Sequence, residues 1–186
     1  MVVLYKNPSR QLTKTHNGFT LIELLVVIGI AAILVSIAVP NFSQMVGQQR
    51  VKAAATNFKG AVALARSEAR KTGLKTHIRQ IGKTAKTPNA DVTLESWEKM
   101  SDGWHVFNKE SGTVTIKLAH NIEAGSINLK GNAKKGLVLA GKTGRINEEK
   151  LICFEDANNN SDISAYTVYV NKAGSATVKE SASCPA

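Results

Sequence analysis

The chain is short of the residues from which catalytic and metal sites are usually built. Of its 186 residues only two are cysteine and four histidine. His16, His77, His105 and His120 are scattered without ligand spacing, and no Ser-His-Asp or Cys-His arrangement is suggested. The sequence therefore makes no case for an enzyme or a resident cofactor. Cys153 and Cys184 both fall in the last quarter of the chain. Such a pair fits one disulfide in an oxidising compartment, and two buried thiols would look the same. Acid is scarce as well: 24 Lys and Arg stand against 14 Asp and Glu, a net charge of +10. That balance favours acidic partners such as nucleic acid or anionic lipid, or else describes a solvated basic surface. No internal repeat and no second domain is visible. The length suits one globular domain with accessories, and a hydrophobic share of 43% allows a core of moderate size.

Acid is missing altogether from residues 1–18, which carry Lys6, Arg10 and Lys14. Behind them, Phe19 to Val39 contains a single ionisable residue, Glu23. A helix of that length reaches roughly 31 Å, about the hydrocarbon thickness of a bilayer. The basic flank keeps its own end cytoplasmic. A secretory signal would show an A-x-A-like cleavage site after the apolar run. Here the run instead continues through Pro40 into an amphipathic pattern. The reading is a membrane anchor with the C-terminal body outside the cytoplasm. In that compartment Cys153 and Cys184 are expected to pair, closing a segment of about 32 residues, worth roughly 3–4 kcal/mol on the chain-entropy estimate.

Glu23 is the anomaly. A charged side chain at the bilayer centre costs about 2.5–3.5 kcal/mol on insertion scales, and such residues are functional by default. With no basic partner in its own segment, Glu23 needs one from elsewhere. Cleavage between Gly18 and Phe19 would create an α-amine one helical turn away, and the same group on a neighbouring copy would serve equally. The plain alternative is a snorkelling glutamate at the membrane interface.

The segment Gly18-Phe19-Thr20-Leu21-Ile22-Glu23, after a basic leader and before an apolar run ending at Pro40, resembles the class III signal of type IV prepilins and pseudopilins. The resemblance implies cleavage after Gly18 by a membrane prepilin peptidase, N-methylation of Phe19, and a role for Glu23 in docking incoming subunits into a filament.

Beyond Pro40, Val51, Ala54, Ala55, Phe58, Ala61, Val62, Ala65 and Ala69 recur at the spacing of one helical face. Arg50, Lys52, Lys59, Arg66 and Arg70 lie mostly off that stripe, and Lys71-Thr72-Gly73 ends it with a basic turn and a glycine. A nearly continuous helix over residues 19–72 is expected, with Pro40 the place for a bend. The period then shifts towards two. Strands are expected at 103–107, 113–118, 137–139, 151–154 and 166–170, with a polar loop over 82–102. One helix followed by many short strands is an α+β pattern.

Ala63-Leu64-Ala65-Arg66-Ser67-Glu68-Ala69 and Gly103-Trp104-His105-Val106-Phe107 are similar to two stretches of the FimT/FimU/GspH group of minor pilins and pseudopilins, with FimU-like the nearer reading. The resemblance implies the type IV pilin fold, a long N-terminal helix packed on an antiparallel β domain. The expected organisation is a removed leader at 1–18, a transmembrane and filament-core helix at 19–40, an amphipathic half at 41–73 and a periplasmic β-rich head at 74–186. It implies an inner-membrane protein that enters the tip of a pilus or pseudopilus. Its partners would be prepilin peptidase and other minor and major pilins. A DNA-binding minor pilin for transformation is the alternative, with Lys130, Lys134, Lys135, Lys142 and Arg145 as a patch for duplex phosphates. Against it, the DNA-binding FimT proteins share a Gly-Arg-x-Arg motif where this chain has Gly174-Ser175-Ala176-Thr177. An H-type minor pseudopilin of type II secretion is the third reading.

Two further matches were weighed. Residues 136–143, GLVLAGKT, fit the phosphate-loop pattern, but that loop needs a strand before it and a helix after it, and here the variable positions are themselves strand-like. Asp156, Asn158, Asn160 and Asp162 alternate like calcium ligands, yet Ser161 replaces the required glycine and Thr167 the final glutamate. Asn and Asp clusters also make ordinary turns.

Overall fold

The computed structural model describes residues 19–80, 103–111, 113–122, 126–132, 136–158 and 160–185. The expected loop at 82–102 lies outside them. Among these residues one helix, α1 (Leu21–Thr72), precedes eight strands: β1 (Thr76–Gln80), β2 (Trp104–Glu110), β3 (Thr113–His120), β4 (Ile127–Gly131), β5 (Leu137–Leu139), β6 (Lys150–Asp156), β7 (Ala165–Val170) and β8 (Ala176–Ser181). The chain divides into two compact units, Met1–Asn41 and Phe42–Ala186.

In the first unit the helix opens on an N-cap. The Glu23 backbone N–H donates to the Thr20 hydroxyl at 3.2 Å, the pattern that satisfies an otherwise orphaned donor of the first turn. Every large apolar side chain from Leu21 to Ile37 is more than half exposed. A soluble helix would not leave such a run in water, whereas a lipid or helix-bundle surround would accept it.

In the second unit the expected stripe is the buried one. Val51, Ala55, Phe58, Ala61, Val62, Ala65 and Ala69 have no exposed surface. The alanines allow a close approach of helix to sheet, and Phe58 fills the centre. The helix stops where Gly73, at φ +74°, returns its N–H to the Ala69 carbonyl, a left-handed cap that favours glycine.

Two four-stranded antiparallel sheets face this helix, in the orders β3-β2-β1-β5 and β4-β6-β7-β8. The first contributes Ile78, Trp104, Val106, Leu137 and Leu139 to the core, the second Leu129, Ile152, Phe154, Val168 and Val170. Phe58 lies against both Trp104 and Phe154. In β2 the inward positions Trp104, Val106 and Asn108 alternate with His105, Phe107 and Lys109. A bulge against β3 falls between Val106 and Phe107, where the partner skips from Leu118 to Ile116. The buried Asn108 is satisfied by the Thr76 hydroxyl at 2.7 Å.

Candidate functional site

Phe19 precedes the first turn of α1 and is 87% exposed, and Glu23 sits in that turn. Gly18 lies outside the described residues. The local reason for an acid at this position was missed in the sequence: Thr20-Leu21-Ile22-Glu23 is the capping pattern S/T-x-x-E, and a carboxylate also suits the positive end of the helix dipole. The observed cap engages the Glu23 backbone N–H and not its carboxylate, so the helix dipole is what favours an acid there.

Cys153 and Cys184 are joined by a disulfide with Cα atoms 5.6 Å apart. Cys153 alternates with Ile152 and Phe154 along β6, so its side chain leaves the face of the sheet opposite the core. It is nevertheless fully buried, as is its cross-strand neighbour Thr167, whose hydroxyl lies 3.3 Å from the Cys153 sulfur. The tail carrying Cys184 supplies the cover for that outer face.

The Asp and Asn run behaves as turn chemistry. An Asp156 carboxylate oxygen accepts the Asn158 N–H at 3.0 Å, and Asn160 Oδ1 accepts the Asp162 N–H at 3.0 Å. The Asp162 carboxylate accepts from Gln44 of the helix, also at 3.0 Å. In the phosphate-loop match, Leu137–Leu139 is strand β5 and residues 141–143 form a turn with no helix after it, so the N–H groups have no helix terminus on which to converge.

The proposed basic patch is only partly gathered. Lys142 and Arg145 share the loop after β5 and are exposed. Lys130 is on β4 in the other sheet, where it pairs with Glu155 at 2.8 Å. Lys134 and Lys135 lie outside the described residues. A tighter set of cations stands elsewhere, on the helix. Lys59, Ala63, Arg66, Ser67 and Arg70, spaced on one helical face, form one wall of a groove of about 370 Å³ whose other wall is Gly174-Ser175-Ala176. Lys59 and Arg70 are exposed and Arg66 is half-buried. Arg66 Nη1 donates to the Ser175 hydroxyl at 3.0 Å, while its Nε is buried without a partner among the described residues. None of the three has a carboxylate partner among those residues.

Two glycines shape this groove. A Cβ on Gly174, at φ +75°, would stand 2.1 Å from the Gly144 carbonyl oxygen, and one on Gly144, at φ +66°, would meet the Arg66 stem at 2.7 Å. Only glycine at both positions lets the β7–β8 turn and the loop after β5 close upon Arg66. Sequence reading placed these arginines off the apolar stripe and could not place the distant turn beside them.

With this geometry in place, the likenesses to known proteins can be set out. Residues 13–39 match the prokaryotic N-terminal methylation motif. The fold is similar to that of the type IV minor pilin FimU of Pseudomonas aeruginosa, at 18% identity and a TM-score of 0.54, over 74% of this chain and 93% of that one. It is also similar to the minor pseudopilin EpsH from the type 2 secretion system of Vibrio cholerae, at 11% identity and a TM-score of 0.51, over 70% of this chain and 97% of that one. No curated protein sequence matches significantly. The motif and the fold define the class: a prepilin-type N-terminus on a pilin or pseudopilin fold.

Proposed function

We propose that this chain is a non-catalytic minor pilin that helps initiate or cap a type IV pilus through protein contacts. The observation that carries the reading is the exposed apolar helix that begins at Leu21, two residues after Phe19 and within the matched methylation motif. In this reading prepilin peptidase removes residues 1–18 by cutting after Gly18, and the Phe19 amine is methylated. Residues 19–40 hold the subunit in the inner membrane and later in the filament core. Residues 41–73 and 74–186 form the head on the periplasmic side, where the Cys153–Cys184 bridge is at home. Glu23 serves as the acid that meets an amine of a neighbouring subunit.

The likeness to a minor pseudopilin favours a second reading, the corresponding subunit of a type II secretion system. The DNA-uptake reading draws on Lys142, Arg145 and Lys130, of which Lys130 is already paired within its sheet. Deleting the gene and scoring piliation, twitching, secretion and transformation separately divides the three. Loss of pili and twitching is the expected result. Normal piliation with lost secretion would select the pseudopilin, and normal piliation with lost transformation the DNA receptor.

A further inference from the structure

We propose that the groove between α1 and the β7–β8 turn is a docking site for an acidic segment of another protein, with Arg66 as the central anchor. The proposal deepens the assembly reading by giving its protein contacts a place and a chemistry. Three cations converge on the groove, and none of them has a carboxylate partner among the described residues. Arg66 is the informative one. Its stem is clamped by the close approach of Gly144, and one N–H is held by Ser175 at 3.0 Å. Its planar fork is thereby oriented before any partner arrives, and because Nε is buried, binding of a partner falls to the terminal Nη1 and Nη2 groups. A fixed, partly desolvated guanidinium suits bidentate binding of a carboxylate. Lys59 and Arg70, one helical turn or two to either side, supply rim charges for further acids, and the Ser175 hydroxyl, which accepts from Arg66, can donate its own proton to the same groups.

Size and shape favour an acidic chain segment over duplex DNA. A groove of about 370 Å³ is filled by a few side chains. Specific duplex recognition spreads its cations over roughly 1,000 Å² or more. A duplex laid over this site would reach the two rim cations while the recessed arginine stayed beneath them. A second copy of this chain is a poor occupant, because each copy is strongly basic, +10 as a whole and +7 once a leader carrying Lys6, Arg10 and Lys14 and no acid is removed. The partner is therefore a different, acidic protein whose segment presents two or more carboxylates along one side.

The test uses the full chain in detergent micelles and a fluorescein-labelled octaglutamate peptide, read by anisotropy at moderate salt. Binding by the wild type is expected, weakened about tenfold by Arg66→Gln, as for loss of a charged hydrogen-bonding partner. Arg66→Lys should retain part of the affinity, since it keeps the charge and loses the fork. The double change Lys59→Gln with Arg70→Gln alters two exposed side chains and decides the matter if Arg66→Gln melts early. Lys75→Gln with Lys109→Gln removes the same charge away from the groove and should bind like the wild type. No peptide binding, equal binding by the groove variants, or an equal loss in the Lys75/Lys109 control would each overturn the proposal. So would a 12-base-pair duplex that binds more tightly than the peptide and loses its affinity with Arg66→Gln; that result would assign the groove to nucleic acid. The two readings fail separately: a deletion strain with normal pili removes the pilus reading and leaves the groove, whereas absent peptide binding alongside lost pili removes only the groove.

Discussion

The ring of Phe58 meets that of Trp104 edge to face, with centroids 5.1 Å apart and planes at 81°. Both side chains are fully buried, one from the helix and one from the first sheet, and Phe154 of the second sheet lies 5.7 Å from Phe58. A single phenyl ring thus touches an aromatic from each sheet. Phe58→Ala should destabilise the head by about 3–5 kcal/mol through lost transfer energy and the cavity left behind. Trp104→Phe should cost far less, because Trp104 Nε1 has no hydrogen-bond partner to lose among the described residues. Denaturant melts of the two variants check the order, and equal costs would contradict this account of the core.

The amino-terminal turn separates two roles that coincide in Glu23. Thr20→Ala removes the cap and should cost the helix about 1 kcal/mol, yet the acid remains, so filament incorporation should stay close to wild type. Glu23→Ala should still be cleaved but incorporate poorly. A bulky replacement of Gly18 should leave the leader attached. Immunoblots of membranes and sheared filaments read all three, and a Thr20→Ala defect as deep as that of Glu23→Ala would reduce the acid to a capping group.

The disulfide gives unequal partners. Reduction of the bridge should cost roughly 3–4 kcal/mol, the value for a closed loop of about this length. Cys153→Ser should cost more than Cys184→Ser, because it also places a hydroxyl at a fully buried position while Cys184 is only half-buried. Thermal melts of the two serine variants and the double variant decide this, the double variant resembling Cys153→Ser.

Acid should loosen the head through His77. Burial, reinforced by the charges of Arg79, Lys75 and Lys109, lowers its pKa from 6.5 to about 4. Its ring is stacked on Phe107 at 5.2 Å. Between those two values the unfolded chain binds a proton that the folded chain refuses, so stability falls as pH drops from 6.5 towards 4. Burial shifts His105 and His120 the same way, and their contribution should survive in His77→Phe. That variant should show a flatter dependence over the window, measured as denaturation midpoints against pH. An unchanged slope would rule His77 out as a source.

What could be read from the residues alone follows the strength of their patterns. Helix α1, with an apolar run followed by a one-face stripe, and strand β5, a short apolar run, stand close to where they were expected. Strand β1 was missed because Thr76-His77-Ile78-Arg79-Gln80 has one large apolar residue, and it is a strand through its pairing with β2 and β5 on either side. Strand β8 was hidden in a polar tail for the same reason: only Ala176 and Val178 lean on the core, and register with β7 supplies the rest. The capping pattern lies in four consecutive residues, Thr20-Leu21-Ile22-Glu23, inside a run whose apolar length points first to a membrane. The groove had no such local trace, since its walls are more than a hundred residues apart in sequence.

The bridge also changes how the last strand would answer to force. β8 is the outermost strand of its sheet, and β7 lies between it and β6. A pull on a bare edge strand would unzip it from β7 one hydrogen bond after another, at low load. Cys184 lies beyond β8 and is welded to Cys153 in β6. Tension entering at the C-terminus therefore bypasses the edge and is delivered to a strand flanked on both sides, where two ladders must shear together. The weakest seam of the sheet is thereby taken out of the load path.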